Sequence, residues 1–172
     1  MIHYKDAIDS CMQEIARKKE SVFIGYNLKF GSRCYGTMNA IPEEKIYEMP
    51  VAEDLMTGIA TGMALGGYLP VLIFERQDFM LIASDQIINH LSKIKELSHG
   101  EFNPKVIIRA IVGHNKPFDP GPQHLQDFTN FFKKHCSFPV VPCRTADQIK
   151  ETYKNALEGN QSTMVVEYKA LY

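Results

Sequence analysis

The chain is predicted to fold as an α/β protein, a three-layer α/β/α sandwich around a mainly parallel sheet. Three observations predict this. Apolar strand-like runs alternate with amphipathic helical runs from one end to the other. The runs 69–74 and 105–112 are apolar on both faces, as strands covered by helices on both sides must be. Between such runs, apolar residues recur every three or four positions, the period of a helix. Alternation of this kind implies right-handed crossovers and helices on both faces of the sheet. A chain of 172 residues is one domain with room for a real core.

Each element has its own reason. Ala7, Ile8, Cys11, Met12 and Ile15 share one face of a helix over 3–19. Residues 21–26 (Ser-Val-Phe-Ile-Gly-Tyr) read as a buried strand, and 27–44 as a turn-rich connection carrying Gly31, Gly36, Asn39 and Pro42. A short strand over 45–49 stops at Pro50, and a helix follows over about 52–67. After the strand 69–74, Met80, Ala83, Ile87, Leu91, Ile94 and Leu97 predict a second long helix over 79–98. Strand 105–112 leads into a loop, 113–123, with three prolines and two glycines. Residues 124–135 read as helix, 138–141 as a brief strand, and 163–167 as the last strand. Ala146, Ile149, Tyr153, Ala156 and Leu157 mark a helix ended by Gly159.

Bulk properties exclude several classes. A net charge of −1 leaves no basic excess for nucleic acid and no polybasic run for anionic lipid. The longest apolar region, 58–74, is interrupted by Gly66-Gly67 and Pro70, so no membrane span is expected. The start of the chain lacks the apolar stretch of a leader peptide. Cys11, Cys34, Cys136 and Cys143 form no C-x-x-C pair and no zinc spacing, so reduced thiols and a cytoplasmic location are expected.

Ligands of open α/β sheets sit beyond the C-terminal ends of the strands. Glu53, Asp78, Phe79 and the 113–123 loop all follow strands and so belong to that edge. Glu53 opens a helix, where an acid also suits the helix dipole and needs no other task. Gly58, Gly62 and Gly66 leave one face of that helix bare. Each glycine costs a helix up to about 1 kcal/mol relative to alanine. Three in register therefore need a packing reason, either the chain's own sheet or a subunit interface. Phe79 is a core aromatic or a platform for a flat heterocycle. Arg76 and Asp78 are placed for a local ion pair. His124, in Gln123-His124-Leu125-Gln126, is an idle loop histidine or a proton donor and acceptor. His114 is a second candidate, and His90 reads as helix surface. Asp85 and Gln86 read as scaffold or interface residues.

Together Glu48-Met-Pro-Val-Ala-Glu53, the glycine helix, Asp78-Phe79-Met80, Asp85-Gln86 and Gln123-His124 resemble the pyrimidine-binding domain of thiamine-diphosphate enzymes. They are most similar to the beta subunit of the decarboxylating component of 2-oxo acid dehydrogenases, with transketolases carrying a looser version. The similarity runs from about residue 3 to Tyr172. It implies that Glu53 hydrogen-bonds the pyrimidine nitrogen and favours the imino tautomer of that ring. It implies that Phe79 stacks on the aminopyrimidine, that Asp78 belongs to the cofactor pocket, and that His124 faces the substrate. The same resemblance puts Gly58, Gly62 and Gly66 at an assembly contact. The Pro-rich 113–123 loop departs from the glycine-rich loop of the family.

Two family features are missing from the sequence. It has no Gly-Asp-Gly followed by an Asn-bearing segment, which in the family holds Mg2+ and the diphosphate. It also lacks the C-terminal transketolase-type domain. The resemblance thus implies a single pyrimidine-binding domain over 1–172 and a partner subunit carrying the diphosphate-binding domain and Mg2+. By analogy the assembly is a heterotetramer with two copies of each chain. Two reactions compete: decarboxylation of a 2-oxo acid with transfer to an acceptor, and transketolase-like two-carbon ketol transfer. A non-catalytic module that kept the fold is the reading of another class. A flavodoxin-like nucleotide binder is disfavoured, because no Gly-rich phosphate loop follows the first strand.

Overall fold

The computed structural model describes residues 3–172; Met1 and Ile2, where the leader-peptide reading began, lie outside the described residues. Six strands form one sheet: β1 (Ser21–Gly25), β2 (Ile46–Glu48), β3 (Leu69–Phe74), β4 (Ile107–Val112), β5 (Val140–Pro142) and β6 (Thr163–Tyr168). Their order is β2-β1-β3-β4-β6-β5, and every pairing is parallel. The helices are α1 (Tyr4–Ala16), α2 (Glu53–Leu65), α3 (Ile94–Leu97), α4 (Thr129–His135) and α5 (Ala146–Glu158).

Alternation along each strand builds two cores. Val71 and Ile73 of β3 face α1 and α5, where Ile8, Met12, Ile15, Ile149 and Tyr153 are buried. Leu72 and Phe74 face the other way, onto Met56 and Ala60 of α2, Met80, Ile87 and Phe132. A period of two on a sheet covered on both faces gives the expected three layers.

Two predicted helices differ from what forms. The segment predicted as one helix over 79–98 is a 3-10 turn (Gln77–Leu81), a π-helix (Gln86–Leu91) and α3. Ser92 explains the break. Its carbonyl accepts from Ser137 Oγ at 2.5 Å, and its own N–H reaches back to the Ile87 carbonyl at 3.0 Å, the i→i+5 bond of a π-turn. The helix expected from residue 124 begins at Thr129. The N–H groups of Gln126 and Phe128 are instead taken by the side chains of Asp78 and Gln77, at 3.2 and 2.5 Å. Helix α2 ends at Leu65 rather than 67, because Gly67 turns left-handed at φ 88°.

A buried polar network crosses the α1/α5 face. Arg109 on β4 forms a bidentate pair with Glu167 on β6, Nε–Oε1 2.9 Å and Nη2–Oε2 2.8 Å, with both side chains fully buried. The hydroxyls of Tyr153 and Tyr172 also donate to Glu167, and Arg109 Nη1 donates to Thr37 Oγ1 at 3.2 Å. Thr37 sits in the connection after β1, where Arg33, Cys34 and Tyr35 are consecutively left-handed (φ 46°, 49° and 58°). A left-handed conformation costs about 1–2 kcal/mol per residue. Burial of the Cys34 side chain and the bond from Thr37 Oγ1 to the Cys34 carbonyl, 2.7 Å, hold the turn in place.

Candidate active site at the C-terminal edge of the sheet

Glu53 is the first residue of α2 and follows β2 across a four-residue link. Its side chain is 2 % exposed, and Oε1 has no hydrogen-bond partner. Tyr26, the residue that follows β1, lies beside it. Burial first, and then the Glu53 carboxylate, push the Tyr26 phenol well above its usual range.

Phe79 and His124 come together edge to face, with ring centroids 5.3 Å apart. Three contacts hold this pair. Asp78 Oδ1 accepts from Gln126 N (3.2 Å) and Nε2 (3.0 Å). Gln77 clamps Phe128 N at 2.5 Å and Thr129 Oγ1 at 3.3 Å. The His124 carbonyl lies over Gly113, just after β4; an ideal Cβ there would be 1.7 Å from that oxygen. Glycine alone permits this approach. Neither Gln77 nor Gly113 was singled out from sequence, since a glycine after a strand is common and both contacts are tertiary.

Buried polar atoms without a partner concentrate at this edge. Of six such side-chain atoms among the described residues, four are Glu53 Oε1, Asp78 Oδ2, His124 Nδ1 and Arg76 Nε. An unpaired buried polar atom costs about 1–3 kcal/mol, so four at one edge signal a site arranged for a polar ligand. A carboxylate, a second acceptor, an imidazole and an aromatic face suit a flat heterocycle that both donates and accepts hydrogen bonds. The chemistry of the donor set therefore fits the pyrimidine end of thiamine.

Arg76 and Asp78 form no ion pair; Arg76 Nη1 donates to the Glu75 carbonyl at 2.8 Å while Asp78 holds Gln126. Glu48, the first acid of the motif, accepts three backbone N–H groups, from Asn27 (2.6 Å), Leu28 (2.9 Å) and Lys29 (2.8 Å). Its work is to fold the connection after β1. Helix α2 packs on the sheet through Met56 and Ala60, not through its glycines. A Cβ at Gly58 would touch Gln86 of the same chain, a Cβ at Gly62 would meet nothing within 4 Å, and Gly66 caps the helix. Asp85 pairs with Asn89 and His90 on an exposed turn. His114 Nδ1 accepts from Lys116 N at 3.2 Å and does not join the cluster.

No nucleophilic thiol is present at the site. Burial raises the Cys34 and Cys143 thiols to about 11 and those of Cys11 and Cys136 to about 12. Among the described residues no three His, Cys, Asp or Glu side chains converge as a metal site, and no helix is long and apolar enough to cross a membrane.

The chain is similar to known proteins in sequence and in fold. The family model of the transketolase pyrimidine-binding domain matches residues 1–172. The pyruvate dehydrogenase E1 component subunit beta of Cyanidium caldarium is 32% identical over 128 residues, 74% of this chain and 38% of that protein. The same subunit of Chlorokybus atmophyticus is 26% identical over 164 residues, 93% and 48% of the two chains. A solved structure described as a split gene transketolase, inactive beta4 tetramer, superposes with a TM-score of 0.71 at 18% identity, covering 96% of this chain and 50% of that one. The chain thus spans about half the length, or less, of these relatives.

Proposed function

The chain belongs to the family of transketolase pyrimidine-binding domains, and from that membership we propose that it is the pyrimidine-binding subunit of a split thiamine-diphosphate enzyme acting on a 2-oxo acid. The observation that carries the proposal is the set of unpartnered atoms at the C-terminal edge of the sheet, Glu53 Oε1, Asp78 Oδ2 and His124 Nδ1, together with the edge-to-face meeting of Phe79 and His124 at that edge.

Thiamine diphosphate, when bound, supplies the carbanion chemistry of decarboxylation and acyl or aldehyde transfer. The chain's own residues do the rest. Glu53 Oε1 holds a proton at the ring nitrogen of the pyrimidine, in surroundings that exclude water. Phe79 lays an aromatic face against that ring, and Asp78 keeps the 124–128 segment in place through Gln126. His124 Nδ1, buried and free, gives or takes a proton at the substrate oxygen. Its ring is aimed by Phe79 and by the Gly113 contact.

The diphosphate and Mg2+ belong, in this proposal, to a partner subunit with a Gly-Asp-Gly segment. Two copies of each chain make the assembly, in the reducing cytoplasm. The face of α2 left bare at Gly62, on a helix that also exposes Leu55 and Leu65, suits a subunit contact. The pyruvate dehydrogenase beta relatives favour decarboxylation, and the split gene transketolase neighbour keeps ketol transfer as the second reading.

Calorimetry with thiamine diphosphate and Mg2+, with and without the neighbouring gene product, tests the proposal. Tight binding and 2-oxo acid turnover are expected only with both chains present. Tight binding and turnover by this chain alone would contradict the split site, and no binding by the pair would leave a non-catalytic module.

A further inference from the structure

We propose that Arg76 and Lys169, gathered around the ring of Tyr35, form an anion-binding subsite that receives the acidic group of the substrate, a carboxylate or a phosphoryl group. The word substrate rests on the function proposed above; the anion site rests on geometry. Arg76 leaves the end of β3, and its Cδ lies 3.2 Å from the position of a Cβ on Gly113, beside the backbone that carries His124. Its guanidinium carbon is 5.2 Å from the Tyr35 ring centroid. Lys169 leaves the end of β6, and its Nζ is 4.3 Å from the same centroid and 4.8 Å from that of Tyr172. Two cations from two strand ends therefore meet at one ring, next to the His124 segment.

Neither cation is neutralised. The four ion pairs among the described residues are Lys5–Asp9, His90–Asp85, Lys93–Glu96 and Arg109–Glu167. The nearby acids Asp78 and Glu75 favour the charged forms of Arg76 and Lys169 but come within ion-pair distance of neither. Glu75 accepts from Asn27 Nδ2 at 3.2 Å and from Ser32 Oγ, Glu48 caps three backbone N–H groups, and Asp78 holds Gln126. Arg76 Nε is buried with no acceptor. Burial depresses the pKa of both cations, and Arg76 further depresses that of Lys169. Like charges held together in a half-dry place are unfavourable until an anion joins them. A guanidinium with a free Nε edge offers the paired donors that a carboxylate or phosphoryl oxygen pair accepts.

Tyr35 is fixed for this task. Its backbone is left-handed at φ 58°, and its hydroxyl donates to the Glu75 carbonyl at 3.3 Å. The subsite thus has a fixed aromatic ring between two charges, beside the backbone that carries His124.

The test is NMR titration of the purified chain with sodium pyruvate and, separately, sodium phosphate at constant ionic strength. Saturable shifts are expected at the Arg76 Nε–H and Lys169 side-chain resonances. Affinity should fall about ten-fold or more in Arg76→Gln and in Lys169→Gln, and recover in part in Arg76→Lys. Tighter pyruvate binding assigns a carboxylate and tighter phosphate binding a phosphoryl group, and each supports the subsite. Unsaturable shifts, or equal affinity in the wild type and both neutral variants, overturn it. A parallel titration of the chain assembled with its diphosphate-binding partner, using thiamine diphosphate and Mg2+ and read at Phe79 and His124, separates the two claims. An anion response without a cofactor response in the assembled pair would sink the cofactor reading and leave the anion site standing.

Discussion

The carbonyl oxygen of His124 occupies the place where a side chain on Gly113 would begin, 1.7 Å from an ideal Cβ. The end of β4 and the candidate proton-transfer residue are therefore one rigid unit. Gly113→Ala must push the 124–128 segment off the sheet edge. We expect a loss of about 1–3 kcal/mol in stability, the usual cost of overpacking. Loss of the Phe79 ring-current shift on His124 should accompany it. Urea unfolding and the His124 proton spectrum check the two effects.

Glu53 is buried, and one of its oxygens has no partner in the chain. Glu53→Gln keeps its shape but replaces a proton-sharing acid by an amide. Turnover of the assembled enzyme is expected to fall about 10²–10⁴-fold, the scale of positioned acid–base catalysis. The thermal midpoint should stay close to that of the wild type. Normal turnover in this variant would remove Glu53 from the mechanism.

Phe79 and His124 share one edge-to-face contact but have different tasks. Phe79→Ala should weaken thiamine diphosphate binding by about ten-fold, the worth of an aromatic stacking partner. His124→Ala should leave cofactor affinity near normal and lower kcat. Calorimetry and steady-state kinetics on the same preparations distinguish these outcomes, and a matched loss of affinity in both variants would contradict the division of labour.

The buried Arg109–Glu167 pair supports the fold rather than the chemistry. Removing one partner strands a charge at the sheet, so Arg109→Met should cost about 3–5 kcal/mol. Arg109→Met combined with Glu167→Leu should cost less than the sum of the two single changes. Denaturant unfolding of all three proteins closes the cycle.

Stability should also fall in alkali. All four thiols, and the phenols of Tyr4, Tyr26, Tyr153 and Tyr172, have pKa values raised by burial. Groups with a raised folded pKa keep their contribution below the unfolded pKa and lose it as pH climbs through the folded one. For the thiols that window opens near the ordinary thiol value of 9.0 and runs to about 11–12. Lys105 and Lys169, lowered by burial, act in the opposite sense but are fewer. The unfolding free energy should be flat between pH 7 and 8 and decline above 9; a rise there would be inconsistent with these buried groups.

Much of the layered fold was legible because strands such as β3 and β4 are apolar on both faces. Glu53 was legible for a related reason: an acid at a strand-to-helix junction must lie at the ligand edge. What stayed hidden depends on tertiary hydrogen bonds. Ser137 breaks the helix expected over 79–98 by taking the Ser92 carbonyl, and Gln77 and Asp78 delay α4 by taking two N–H groups. No local pattern carries those partners. Arg109 and Glu167 did leave a trace, each being a lone charge inside an otherwise apolar strand. Their match across the sheet required the register Arg109↔Val165 and Ile111↔Glu167.

The most direct test is a crystal structure of this chain assembled with its diphosphate-binding partner and saturated with thiamine diphosphate and Mg2+. Glu53 Oε1 should lie within hydrogen-bond distance, about 2.6–3.2 Å, of a pyrimidine ring nitrogen, with the ring against Phe79. A pyrimidine bound elsewhere, or a Glu53 side chain turned away from it, would contradict the central claim.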